Sequence, residues 1–249
     1  MMTAIPITSI PPLQRPEAAV LAQREHERMA DLLESLSDED WSKQTDCPAW
    51  DVRAVASHAY GMAETFSALP KFASDMIAGT RAAGDRPQVD GLTEVQVKRY
   101  APLTNSEVIA RLRTAGPKQA RWRGRRRLMR HIPMKVDRRD GEKETWKLAF
   151  VVDIILTRDS WMHRVDISRA TGKSMGLTAE HDGRLVADVV AEWARRHGQP
   201  FTLELTGPAG GVFTNGEDGE HITIDAVEFC RILSGRAPAS GLLTEEVPF

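Results

Sequence analysis

Leu148-Ala-Phe-Val-Val-Asp-Ile-Ile-Leu156 runs on through Thr157-Arg-Asp159-Ser-Trp-Met-His163-Arg-Val-Asp166 to Ala170, with no breaker before Gly172. The apolar run alone would suit a buried strand as well as a helix. Its unbroken continuation gives a length that favours a buried helix over residues 144–171, with Gly172 as a natural stop. A buried helix needs neighbours on several sides, so the rest of the chain is read for helices that could surround it.

Residues 17–36 place Val20, Leu21, Met29, Leu32, Leu33 and Leu36 at helical spacing. Asp51 opens a second helix through about Leu69, with Val52, Val55, Ala56, Ala59 and Met62 as its stripe and His58 at the stripe's edge. Residues 70–92 are rich in Gly, Ala, Asp and Pro, and suggest only a short helix around Phe72–Ile77. A third helix is expected from near Leu92, resuming at Ser106 as N-cap and ending by Gly116-Pro117. Residues 16–172 thus read as a four-helix bundle with one long crossing connection.

After Gly172 the pattern changes. A helix over 180–196 is followed by the short alternating segments Phe201–Leu205, Gly211–Thr214 and His221–Ile224, then a helix over 226–233. Residues 173–249 read as a small α+β domain, and residues 1–15 as a flexible N-terminal arm. The fold class is mainly α: a four-helix bundle followed by the small α+β domain.

The chain has 249 residues, 27% charged and 41% hydrophobic, with a net charge of −2. Such a balance suits a globular protein with a core and asks for neither nucleic acid nor an anionic membrane as partner. No apolar run is long enough to span a bilayer. Two cysteines far apart, Cys47 and Cys230, fit a reducing cytoplasm rather than a disulfide framework. Cys47 reads as a small buried thiol, with a nucleophile as the alternative. The segment Arg121-Trp-Arg-Gly-Arg-Arg-Arg-Leu-Met-Arg-His131 reads as a solvated loop or covering helix. Nucleic-acid binding and clamping of an anion are the other two readings.

Asp159 and His163 are four residues apart on a helix and therefore share a face. A carboxylate and an imidazole so placed can hold one side of a divalent metal. The third ligand must come from another helix, and His58 is the best candidate. The same residues could equally form an ordinary ion pair or a hydrogen-bonded polar trio.

Leu36…Trp41…Cys47-Pro-Ala-Trp50-Asp-Val-Arg-Ala-Val-Ala-Ser-His58, the Asp159–Asp166 stretch, Leu203-Glu-Leu-Thr-Gly207 through Ala226, and Ser234-Gly-Arg-Ala-Pro238 together resemble the mycothiol-dependent maleylpyruvate isomerase family. That family belongs to the wider DinB-like four-helix bundles and carries a sterol-carrier-like C-terminal domain. The resemblance implies a zinc ion on His58, Asp159 and His163, with Asp159 where the family has glutamate, one methylene longer. It also implies mycothiol or a similar low-molecular-weight thiol as cofactor, a small electrophilic anionic substrate, and Arg236 as the catalytic anion partner. Trp41, Trp50 and Trp161 are assigned to packing. The expected protein is a cytoplasmic isomerase or thiol transferase, monomeric or homodimeric, without nucleic-acid or membrane partners. The alternative is a carrier of a small hydrophobic ligand or lipid.

Overall fold

A computed structural model of the chain describes residues 3–125, 129–137 and 143–249. It divides into two compact units: Gln14–Met175, and the N-terminal residues up to Leu13 together with Gly176–Phe249.

In the first unit, α1 (Arg15–Glu34), α2 (Val52–Thr65), α5 (Asn105–Arg125) and α7 (Leu156–Thr171) close a ring: α1 packs on α5 and α7, and α2 packs on the same two. The shared core includes Met29, Leu33, Val55, Ala56, Leu112 and Ile167. Glu25 of α1 and Arg164 of α7 are both inside this ring. They pair as a fork, Nε–Oε1 at 2.9 Å and Nη2–Oε2 at 3.1 Å. α2 starts where Asp51 Oδ1 accepts the Ala54 amide at 2.8 Å.

Several elements differ from the sequence reading. Residues 69–83 are a full helix, α3 (Leu69–Ala83), packed on α4 (Gln88–Tyr100), which in turn lies on α2. The third helix is therefore two, α4 and α5. The α5 N-terminus is capped not by Ser106 but by Thr104. Its amide donates to Glu107 Oε2 at 2.8 Å, while the Glu107 amide donates to Thr104 Oγ1 at 3.2 Å. α5 also runs straight through Gly116-Pro117. Gly116 is a contact here and not a stop: a Cβ on it would lie 2.6 Å from His26 Cβ of α1. Packing of Val108, Leu112, Ala120 and Trp122 on the same helix outweighs the cost of the interior proline, typically about 3 kcal/mol.

Residues 143–147 are not helical. β2 (Pro133–Asp137) and β3 (Lys143–Lys147) pair antiparallel, and α6 (Leu148–Phe150) begins the buried helix only after them. Between α6 and α7, Val151–Ile155 is π-helical. The arginine-rich segment is only partly solvated. Trp122 and Arg123 are buried on α5, while Arg126 to Leu128 lie outside the described residues.

In the second unit, α8 (Arg184–His197) and α9 (Ala226–Leu233) accompany a sheet of order β1-β5-β4-β6. β4 (Phe201–Thr206) is antiparallel to β5 (Gly211–Asn215) and parallel to β6 (Glu220–Asp225). β1 is Ile5–Pro6, paired parallel with β5. The expected arm therefore supplies an edge strand, and proline is tolerated because it lies at an edge. Trp193 anchors the core against Phe201 and Phe229, with ring centroids 4.7 and 5.4 Å away, and its indole N–H donates to Leu242 O. Among the described residues no helix is long and apolar enough to cross a membrane.

The close approach at Gly116 makes a prediction. Helix propensity alone favours Gly116→Ala by roughly 1 kcal/mol, yet overpacking against His26 should lower stability by about 1–3 kcal/mol net. Urea denaturation reads this, and a more stable variant would contradict the contact.

Candidate metal centre

His58 lies in the middle of α2, and Asp159 and His163 in the first half of α7. Helix packing brings the three together. Asp159 Oδ2 is 3.6 Å from His58 Nε2, and Oδ1 is 3.3 Å from His163 Nε2. The three potential ligand atoms all lie within 4.8 Å of one another. The two imidazoles meet edge to face, centroids 5.1 Å apart. Both histidines are buried, whereas the Asp159 side chain is 23% exposed, so the acid is where the trio opens outward.

The far nitrogens are held. His163 Nδ1 meets Asp166 Oδ2 at 3.0 Å, and Asp166 is fully buried. A carboxylate can only accept, so Nδ1 carries the hydrogen and Nε2 keeps its lone pair when the ring is neutral. His58 Nδ1 meets Gln96 Oε1 at 2.9 Å. The Gln96 amide nitrogen donates to Thr65 Oγ1 at 3.1 Å, and Thr65 donates its hydroxyl proton to buried Asp75 at 2.7 Å. Asp75 accepts only, so the direction of every bond back to His58 is set. His58, too, turns its Nε2 lone pair to Asp159. Gly61 makes this possible: a Cβ there would lie 2.6 Å from Gln96 Cγ.

This geometry fits a small divalent ion. Ligands bound tetrahedrally at ~2.1 Å stand about 3.4 Å apart; the two acid–imidazole separations are near this value but use different oxygens, Oδ2 toward His58 and Oδ1 toward His163. Two nitrogens and one carboxylate oxygen form a borderline-hard donor set suited to zinc.

The electrostatics agree with the geometry. Burial would push the His163 imidazole down, but the charge of Asp159 and hydrogen bonds to Asp159 and Asp166 outweigh it and hold it well above the ordinary histidine value. Burial would raise Asp159, and the two histidines instead hold it well below the usual carboxylate range.

Three neighbours go beyond the sequence reading. Trp50, expected only to pack, is half-buried with its ring 5.0 Å from that of His58 and 5.8 Å from that of His163. Cys47 is not a buried thiol. It is partly exposed, with Sγ 3.5 Å from Asp166 Oδ2. Cys47, His163 and Asp166 form a second group of potential ligands sharing His163. Asp166 was visible as an i, i+3 neighbour of His163, whereas nothing in the sequence marks Gln96. Arg236 belongs to the other unit. It is half-buried in the turn after α9, with its amide donating to Arg231 O at 2.8 Å.

Residues 22–168, more than half of the chain and including all three members of the trio, match the family described as Mycothiol maleylpyruvate isomerase N-terminal domain. The chain belongs to this mycothiol maleylpyruvate isomerase N-terminal domain family. Among solved structures, the mycothiol-dependent maleylpyruvate isomerase superposes with a TM-score of 0.55 at 14% identity, covering 99% of this chain and 98% of that one. A histidine-to-alanine mutant of that isomerase gives 0.52 at 15% identity with the same coverage. Comparison with curated proteins gave no match. At these identities the structural likeness speaks to the fold of this family member, which is shared along essentially its whole length.

Two predictions follow from the held nitrogens. Asp166→Asn or Gln96→Leu should weaken zinc binding about 10- to 100-fold while leaving the bundle folded. Competition titration with a chelator reads this, and unchanged affinity would show that the far nitrogens do not matter. Because a metal must displace the proton that Asp159 and Asp166 stabilise on His163, zinc affinity should fall as pH falls. The fall should approach about tenfold per pH unit once the pH is below the raised His163 value, and a flat profile would contradict it.

Proposed function

We propose that this protein is a metal- and mycothiol-dependent isomerase or thiol transferase acting on a small, electrophilic, anionic substrate. The observation that carries the reading is the convergence of His58 Nε2, Asp159 and His163 Nε2 on one point, within a family named for a mycothiol-dependent isomerisation.

His58, Asp159 and His163 would hold a zinc ion, leaving one coordination position open, as catalytic zinc sites do. When bound, the ion and the thiol supply a thiolate sulfur at neutral pH, able to add to an electrophilic double bond and so permit rotation about it or transfer of the thiol. The remaining roles belong to the chain itself. Asp166 and the Gln96–Thr65–Asp75 relay fix the imidazole orientations. Trp50 covers ring faces of both histidines and restricts water on that side. Asp159, the exposed member, marks the side from which ligands approach. Arg236 is the anion partner that the family resemblance implies, its guanidinium suited to a carboxylate. Neither cysteine forms a disulfide, which suits work in the cytoplasm.

Elemental analysis of purified protein should give about one zinc per chain, and His58→Ala or His163→Ala should abolish it. The zinc-loaded protein with mycothiol should isomerise maleylpyruvate or a related cis-configured keto acid, and His58→Ala should not. Absence of both metal and thiol affinity would overturn the reading. A carrier of small hydrophobic ligands would instead retain its ligand in the His58→Ala variant.

A further inference from the structure

Arg123 of α5 is 1% exposed. One terminal nitrogen, Nη1, donates to Thr157 Oγ1 at 2.6 Å, and the other, Nη2, to Gln119 Oε1 at 2.9 Å. Both acceptors are neutral. Its Nε–H has no acceptor among the described residues. The carboxylate whose charge acts on it most, Asp153, is already engaged: Arg130 Nη1 donates to Asp153 Oδ1 at 3.0 Å, and Nη2 to Oδ2. A guanidinium is thus enclosed in the bundle with no carboxylate in contact among the described residues, a costly arrangement unless something else completes it.

Among the described residues no carboxylate touches it, though the charges of Asp153 and Asp159 reach it. Gln119 Oε1 is shared with His26 Nε2, at 2.5 Å. His26 is pushed down to about 4 by burial and then by the charge of Arg123, so it stays neutral. Among the described residues its Nδ1 also lacks a partner, as does Oγ of buried Ser160. Ser160 stands three residues after Thr157, on the same face of α7. Thr157 precedes Asp159 by two residues on α7, so the two point to different sides of that helix, but the charge of Asp159 still acts on Arg123. The helix carrying them is preceded by the π-helical turn Val151–Ile155, a distortion that frequently accompanies functional sites.

We propose that Arg123 is an internal anion receptor that takes a carboxylate of the substrate inside the bundle that also holds the metal trio. Guanidinium matches carboxylate in a planar fork and keeps its charge when buried. The carboxylate replaces the neutral oxygen of Gln119 on Arg123, occupies the open Nε–H, and leaves Gln119 to His26. This proposal rests on the metal-dependent reading above and adds a substrate-positioning residue from inside the bundle.

The test is titration calorimetry of the zinc-loaded full chain with maleate, a small cis-dicarboxylate. Wild type should bind it. R123Q should bind at least about tenfold more weakly, and R123K, which keeps the charge but loses the fork, should also be weakened. Zinc stoichiometry should be the same in all three. Variants that hold zinc and bind maleate like wild type would overturn the role of Arg123 and leave the metal reading intact. A wild type that holds zinc but does not bind maleate would do the same. A wild type that takes up no zinc would overturn both. Should neither variant fold, arginine-selective nitrogen NMR of wild type decides: a maleate-dependent shift of a slowly exchanging Nε–H supports the receptor, and no shift overturns it.

Discussion

The site depends on one constraint: each histidine of the trio has its Nδ1 tied to an acceptor that leaves it no choice of tautomer. For His163 the tie is direct, to Asp166. For His58 it is a relay through Gln96 and Thr65 that ends on Asp75. A buried polar network is worth having only if every member is satisfied, and here the satisfaction has a direction. With both rings neutral, the two Nε2 atoms face the same carboxylate, where a metal would take their lone pairs. The relay crosses from α2 to α4 and α3, so the helices added to the basic bundle ring have a chemical as well as a packing role.

Glycines account for much of this closeness. Gly61 admits Gln96 beside His58, Gly116 brings α5 against His26, and Gly91 of α4 would put a Cβ 2.1 Å from Gly79 O of α3. In sequence such residues read as breaks. In the fold they are contact points, and this is why α3 reads in sequence as only a short helix and α5 as stopping at Gly116-Pro117. Residues 70–92 offer few apolar side chains, so periodicity had little to report there. β2 and β3 escaped for a different reason. Their alternation is polar on one face and weak on the other, and β3 runs directly into the apolar stretch that begins at Leu148.

What was legible followed from strong periodicity. α1, α2, α7, α8, the strands β4 to β6 and α9 all carry apolar spacing that tertiary packing then uses. The i, i+4 pair Asp159–His163 and the separate His58 could be singled out from residue type and spacing, because chelation needs side chains on one face. The outer partners were less accessible. Asp166 stood in the same motif, but its role depends on which nitrogen of His163 faces inward. Gln96 acquires meaning only through the docking of α4. Trp50 and Cys47 were placed by the Gln44–Asp51 bridge and the turn it closes, which no local pattern announces.

The central claim is that two imidazole nitrogens and one carboxylate oxygen, from His58, His163 and Asp159, bind the metal. X-ray absorption at the zinc edge of the thiol-free, zinc-loaded protein tests it most directly. The account predicts a shell of nitrogen and oxygen only, at ~2.0–2.2 Å, with outer scattering from two imidazole rings. A sulfur at ~2.3 Å would place the ion on Cys47 and Asp166, on the other side of His163, and contradict it.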